Sequence, residues 1–312
     1  MLYYRMKRIV VKKILSDDEI KNKEGEYFDQ SHYHTTINED CDVYTEEGNL
    51  LIKFRKNVIN KELTDLALKS YKELAKKKHD NRGASAGVLN KELLGSWVGE
   101  LVEPKKFRTH FKSPKTGKLS KQLTSNMAQS NIIGYYDKPD RNKKNQGPPC
   151  RLTAFCRDNG DIWNNSIPFI KRCDEIFKEL IPDRHKNQLE QCQRVPKFTI
   201  DNTAFSTLTL NYSWRTALHR DKGDLNEGFG NLVVVEDHEN PNTYQGGCLG
   251  FPQYGVCVNG RTGDFLAMDV HQWHCNTEFI PENDNKDIWN FNRLSIVLYF
   301  RKNMVRCENI II

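Results

Sequence analysis

From residue 206 to residue 300 the chain is a succession of short apolar runs, at 206–214, 231–236, 246–251, 255–259, 263–269 and 292–300. Runs of that length, spacing and alternation predict an antiparallel β core. Chemistry-bearing residues interrupt this frame. Residues 210–221 read Leu-Asn-Tyr-Ser-Trp-Arg-Thr-Ala-Leu-His-Arg-Asp. On an extended segment, side chains two apart share a face, so His219 and Asp221 would converge. His274 follows 53 residues after Asp221, within Trp-His-Cys-Asn-Thr, and Arg293 opens Arg-Leu-Ser-Ile-Val-Leu-Tyr-Phe 19 residues later. Two imidazoles and one carboxylate form a facial ligand set that leaves coordination positions open on non-haem Fe(II). A bare His-x-Asp recurs by chance. The order of the elements is the stronger constraint.

That order, strand–His-x-Asp, Gly-Asp-strand, His, Arg-x-Ser-strand, resembles the Fe(II)/2-oxoglutarate dioxygenases. The resemblance implies an α+β fold: a double-stranded β-helix, or cupin-like jelly-roll, buttressed by N-terminal helices. It also implies that His219, Asp221 and His274 hold Fe(II), and that Arg293 with Ser295 grips the distal carboxylate of 2-oxoglutarate. The planar guanidinium fork suits a carboxylate. His271 competes with His274 as the second histidine. His274 is preferred because Gly263 to Asp269 reads as a strand and His-Cys-Asn-Thr resembles the family's distal-histidine tetrad. Arg301, eight residues past Arg293 and next to Lys302, is expected beyond the strand and solvated.

Composition excludes other classes. With 38% hydrophobic and 28% charged residues, the chain has no apolar run of membrane-spanning length, and Arg5, Lys7, Arg8, Lys12 and Lys13 break up any signal-peptide core. No membrane association is expected. Nine cysteines without a Cys-x-x-Cys pair read as reduced thiols in an intracellular compartment and disfavour a zinc site.

Residues 1–44 read as an N-terminal extension and 45–302 as the oxygenase domain, with helical and basic-loop support over 45–200 and the core over 201–302. Residues 303–312 read as a tail. Leu63, Leu66, Leu68, Tyr71 and Leu74 predict a helix ending near the lysines 76–78, and residues 48–55 read as a turn into a strand. A second helix is predicted from about Ser166 to Leu180, with Pro168 in its first turn and Pro182 ending it.

The net charge of +6 is uneven: residues 101–150 hold eleven Lys or Arg against three Asp or Glu. Positive charge interleaved with Phe107, His110, Phe111, Tyr135 and Tyr136 suits a polyphosphate backbone with stackable bases; the alternative is a solvated basic loop. Asn-Arg-Gly-Ala-Ser-Ala-Gly at 81–87, Ser-Asn-Ile-Ile-Gly-Tyr-Tyr at 130–136 and Cys-Arg-Leu-Thr-Ala-Phe at 150–155 narrow the resemblance to the TET/JBP family, on its JBP-like thymine hydroxylase branch. That family oxidises the methyl group of thymine or 5-methylcytosine in nucleic acid. The implied partner is DNA with the target base flipped out or single-stranded. Arg82, Asn131, Tyr135 and Arg151, each polar or aromatic within one of these motifs, are the candidate substrate contacts. A hydroxylase acting on a protein side chain, with the same iron set, is the alternative.

Overall fold

The computed structural model describes residues 6–138, 150–239, 244–282 and 291–309. Its centre is a nine-stranded sheet ordered, edge to edge, Lys7–Val11, Cys41–Thr45, Leu50–Arg55, Phe265–Met268, Gly230–Glu236, Arg293–Tyr299, Thr207–Tyr212, Ser130–Tyr136 and Arg151–Leu152. Every neighbouring pair is antiparallel except the first. A four-stranded sheet, Cys275–Asn276, Leu249–Phe251, Val256–Val258 and Thr35–Ile37, lies against it. The molecule is thus α+β with one large sheet.

Side-chain alternation decides what each face meets. On Gly230–Glu236, Val233 and Val235 join a core that includes Phe169, Ile170, Ile176 and Phe177 of the helix Gly160–Leu180 and Ala67 and Tyr71 of the helix Lys61–Ala75. Leu232 and Val234 of the same strand join Leu249, Phe251, Val256 and Val258 of the smaller sheet. Leu294, Ile296 and Leu298 likewise point to the helices. Arg293, Ser295, Val297 and Tyr299 must therefore face the other way, toward the space between the sheets.

The helix over 61–75 forms as the leucine spacing predicts, with the Asn60 side chain accepting from the amide of Leu63 at 3.0 Å. Its fully buried residues are Thr64, Ala67, Tyr71 and Ala75, while the leucines 63, 68 and 74 flank them half-buried. The second helix begins at Gly160, six residues earlier than expected, which puts Pro168 in its interior. Burial of Trp163 against the core explains the added turns. Pro182, expected only as a stop, also opens a further helix, Pro182–Arg194, where its missing N–H costs nothing.

Both termini depart from expectation. Described residues ahead of 45 join the sheets: Lys7–Val11 pairs with Cys41–Thr45, and Thr35–Ile37 pairs in parallel with Val256–Val258. Val11, Ile37, Cys41 and Val43 are buried between the sheets, and the many charges around them conceal this in sequence. In the tail, Met304 and Cys307 are buried against Phe198 and Phe300, and Cys307 forms a disulfide with Cys150. The cysteines were expected to be reduced. A partner 157 residues away has no spacing signature, and only packing brings the two together. The other seven are free and buried. Among the described residues no helix is long and apolar enough to cross a membrane.

Candidate metal centre and substrate cavity

His219 does not lie on a continuous strand with Asp221, as the i, i+2 argument assumed. It sits in a one-residue antiparallel bridge with His274, each backbone N–H donating to the other's carbonyl at 3.0 Å. Residues so opposed project to one side, and the two rings stand 4.4 Å apart, centroid to centroid. Asp221 follows in a loop, pinned by its N–H to the carbonyl of Val270 at 3.0 Å. Its carboxylate oxygens lie 3.7 Å from Nε2 of His219 and 3.7 Å from Nε2 of His274. One ligand atom from each of the three residues falls within 4.8 Å of the others, the one such cluster among the described residues.

The donor chemistry fits a divalent metal. Nδ1 of His219 lies 2.8 Å from the carbonyl of Ala217, and Nδ1 of His274 lies 2.9 Å from that of Gln272. Only a protonated Nδ1 donates there, so Nε2 carries the lone pair and faces the carboxylate. Burial, reinforced by neighbouring His274 and opposed by Asp221, pushes His219 down to about 4. It is the neutral imidazole that ligates metals. His271 does not join the cluster: its Nε2 lies 3.3 Å from the carbonyl of Leu225.

The three donors line a cavity of about 250 Å³ that also includes Ser295, Tyr299 and Arg82. Arg293 is buried, 4% exposed, two residues before Ser295 on the same strand face. Its Cζ lies 5.5 Å from the Phe279 ring centroid, and its Nε has no hydrogen-bond partner among the described residues. A buried guanidinium with an unused donor suits an incoming carboxylate.

Of the four candidate substrate contacts, only Arg82 lines this cavity. Its Nε is buried without a hydrogen-bond partner among the described residues, and desolvation lowers its pKa even with Tyr299 and Asp221 nearby. Asn131 faces away between the cavity residues Ser130 and Ile132. Its Nδ2 donates to the carbonyls of Ala75 and Lys77, and its Oδ1 lies 2.6 Å from His79 Nε2. Tyr135 packs edge-on against Phe198. Arg151 donates to the carbonyl of Lys138 at 3.1 Å and lies over Tyr136. None of these three lines the cavity: strand alternation turns Asn131 and Tyr135 from it, and Arg151 lies on the edge strand beyond them.

Arg301 is not solvated. It lines the cavity, and its Nε donates to Asp137 Oδ1 at 2.7 Å in an ion pair whose side chains are 15% and 2% exposed. Burial works against its charge, but Tyr299 and Asp137 outweigh it and raise its pKa. Asp224, also in the cavity and bridged in the backbone to Arg301, has its carboxyl pushed well above the usual range by burial and then by Asp221. Asp224 was not singled out in the sequence, and Arg301 was expected in solvent. Continuing the i, i+2 rule from Arg293 and Ser295 through Val297 and Tyr299 reaches Arg301, and that signal was available.

A fold with a large mixed-order sheet, a smaller facing sheet and a His-Asp-His cluster at the cavity head defines a class. The chain matches the model of the Tet_JBP family, the oxygenase domain of the 2OGFeDO superfamily, over residues 131–302, and belongs to that family. It is 30% identical over 290 residues to thymine dioxygenase JBP1 of Trypanosoma brucei brucei, across 83% of this chain and 32% of that protein. To thymine dioxygenase JBP1-B of Trypanosoma cruzi it is 32% identical over 231 residues, 71% of this chain and 25% of the relative. The chain thus spans about a third or less of these curated relatives. The solved structure of NgTET1 in complex with 5mC DNA is similar in fold, with a TM-score of 0.50 at 10% identity, covering 95% of this chain and 83% of that one.

Proposed function

We propose that this chain is an Fe(II)- and 2-oxoglutarate-dependent dioxygenase that hydroxylates the methyl group of thymine or 5-methylcytosine in DNA. In this reading the two sheets are the walls of a double-stranded β-helix, and residues 45–302 form the catalytic domain. The observation that carries it is the convergence of His219, Asp221 and His274, with both Nε2 atoms turned to the Asp221 carboxylate, on the cavity that also holds Ser295, Tyr299 and Arg82. Family membership and the thymine dioxygenase relatives support the same chemistry.

His219, Asp221 and His274 would hold the iron, which with 2-oxoglutarate and oxygen supplies hydroxylation of an unactivated C–H bond as the co-substrate leaves as succinate and CO₂. Arg293 and Ser295 would receive the distal carboxylate, fixing the co-substrate's orientation. A methyl group in a stacked duplex cannot enter a cavity of this size, so the base must be flipped or single-stranded. Tyr299 would offer a ring face, while Arg82, Asp224 and Arg301 present polar groups to its edge. The basic segment adjoins the Arg82 loop: Arg108 donates to the carbonyl of Asn81 at 3.4 Å and packs against Gly83. It would lead the phosphate backbone to the cavity. Such a substrate implies work inside the cell, in the nucleus of a eukaryote.

The test is mass spectrometry of nucleosides after incubation of the protein with Fe(II), 2-oxoglutarate, oxygen and DNA of defined methylation. A hydroxymethyl product from thymine or from 5-methylcytosine is expected. Succinate formation coupled to peptides but not to DNA would overturn the reading.

A further inference from the structure

Arg293 sits opposite Glu236 in the antiparallel register between Gly230–Glu236 and Arg293–Tyr299. Directly opposed residues share a face and stand close enough to interact, so an ion pair is the natural outcome. No Arg293–Glu236 hydrogen bond forms, and Arg293 Nε remains unpartnered among the described residues. The acceptor sites of Glu236 are taken by other donors. Its Oε1 accepts from the Tyr244 hydroxyl at 2.6 Å and from Arg261 Nη1 at 3.3 Å. Its Oε2 accepts from the Thr262 hydroxyl at 2.9 Å and the Thr262 amide at 3.1 Å. A carboxylate offers about four lone-pair sites, and these donors fill them.

Aromatic rings complete the partition. Arg261 Cζ lies 4.4 Å from the Tyr244 ring centroid, and Tyr244 packs edge-on to Phe279 at 5.4 Å and to Phe291 at 5.8 Å. Phe279 is the ring against which the Arg293 guanidinium rests. Glu236 and Arg261 cancel in charge, so the cluster of three keeps one net positive charge, on Arg293. An entering carboxylate would bring the cluster to neutrality.

We propose that Arg261 is a positioning residue that holds Glu236 away from Arg293, keeping the Arg293 guanidinium free to receive the 2-oxoglutarate carboxylate. This rests on the reading above that 2-oxoglutarate is the co-substrate. Without Arg261, Glu236 loses both a donor and its counter-charge, and it turns to the cation opposite in register. Arg293 is then occupied by its own strand neighbour, and the co-substrate must compete with an intramolecular carboxylate.

The test is calorimetric binding of 2-oxoglutarate to the full chain loaded with Ni(II), a redox-inert stand-in, for wild type, Arg261→Met, Glu236→Gln and the double variant. Arg261→Met is expected to weaken binding about tenfold, and adding Glu236→Gln to restore it to within about threefold of wild type, as coupled neighbours do. Glu236→Gln alone is expected to stay within about threefold, because the amide keeps an acceptor for Tyr244 and loses the competing charge. A merely structural pair gives a different pattern: the double variant binds as weakly as Arg261→Met or worse, and that result overturns the proposal. If Arg261→Met does not fold, Glu236→Gln decides, since a tenfold loss in that variant overturns the proposal equally. Wild type that binds Ni(II) but no 2-oxoglutarate would sink the co-substrate reading and this inference with it. Wild type that binds while the double variant fails to recover sinks this inference alone.

Discussion

The His219–His274 bridge ties two ligand candidates 55 residues apart to one hydrogen-bonded pair, so the backbone sets their geometry before any metal arrives. His219→Ala or Asp221→Ala should abolish stoichiometric Fe(II) or Co(II) binding and turnover together. His271→Ala should leave metal binding intact, because that ring is occupied with the carbonyl of Leu225. Metal titration of the three variants checks this, and loss of metal in His271→Ala with retention in His274→Ala would reverse the assignment. Arg293→Ala should raise the 2-oxoglutarate requirement far more than it weakens metal binding. Leaving a buried carboxylate without its charged partner costs about 3–5 kcal/mol; unchanged co-substrate dependence would remove Arg293 from the role. At this scale the sequence was legible where a residue's type and its order along the chain carried the chemistry, as for the three ligand candidates, which the fold brings together. It was not legible where a role depends on what lies opposite. Arg301 next to Lys302 looks like a surface cation until Asp137, 164 residues away, is packed against it.

Strand alternation explains why Asn131 and Tyr135, named from motifs, point away from the cavity while Ser130 and Ile132 line it. A motif says that a segment belongs at the site, but which of its side chains point inward depends on register, and one residue's shift reverses every face. Asn131 instead closes the end of the helix Lys61–Ala75 by donating to the carbonyls of Ala75 and Lys77. Asn131→Ala should therefore cost about 1–3 kcal/mol of stability, the penalty for leaving such buried groups unsatisfied. Urea denaturation measures it, while 2-oxoglutarate binding should stay close to wild type. Unchanged stability with loss of DNA product would return Asn131 to the substrate contacts. The short strands at the N-terminus escaped the sequence reading for a related reason. Lys7–Val11 and Thr35–Ile37 add to sheet edges, where one or two buried residues each suffice and the remaining polar ones mask the period.

The whole molecule divides its charge as the sequence indicated, with the excess of cations between residues 101 and 150, of which 139–149 lie outside the described residues. Within the described part, Leu101–Val102 pairs with His110–Phe111, Trp97 packs edge-on against Phe111 at 5.0 Å, and Arg108 reaches the loop that carries Arg82. The described part of the segment is therefore a paired arm beside the loop that carries Arg82. Its lysines are lightly engaged: Lys112 pairs with Glu100 at 3.0 Å with both side chains about half exposed, an interaction worth little in water. Replacing Lys105, Lys106, Lys112 and Lys115 by Gln should weaken DNA binding and flatten its dependence on salt. Each lost phosphate contact lowers the slope of log affinity against log salt by about 0.9 for duplex DNA. Conversion of 2-oxoglutarate to succinate without DNA should survive, because none of the four lines the cavity. Binding measured across a salt series for wild type and the quadruple variant tests this directly. Equal slopes would mean that phosphates do not touch these lysines, and the approach of DNA would have to be sought on another face of the cavity mouth.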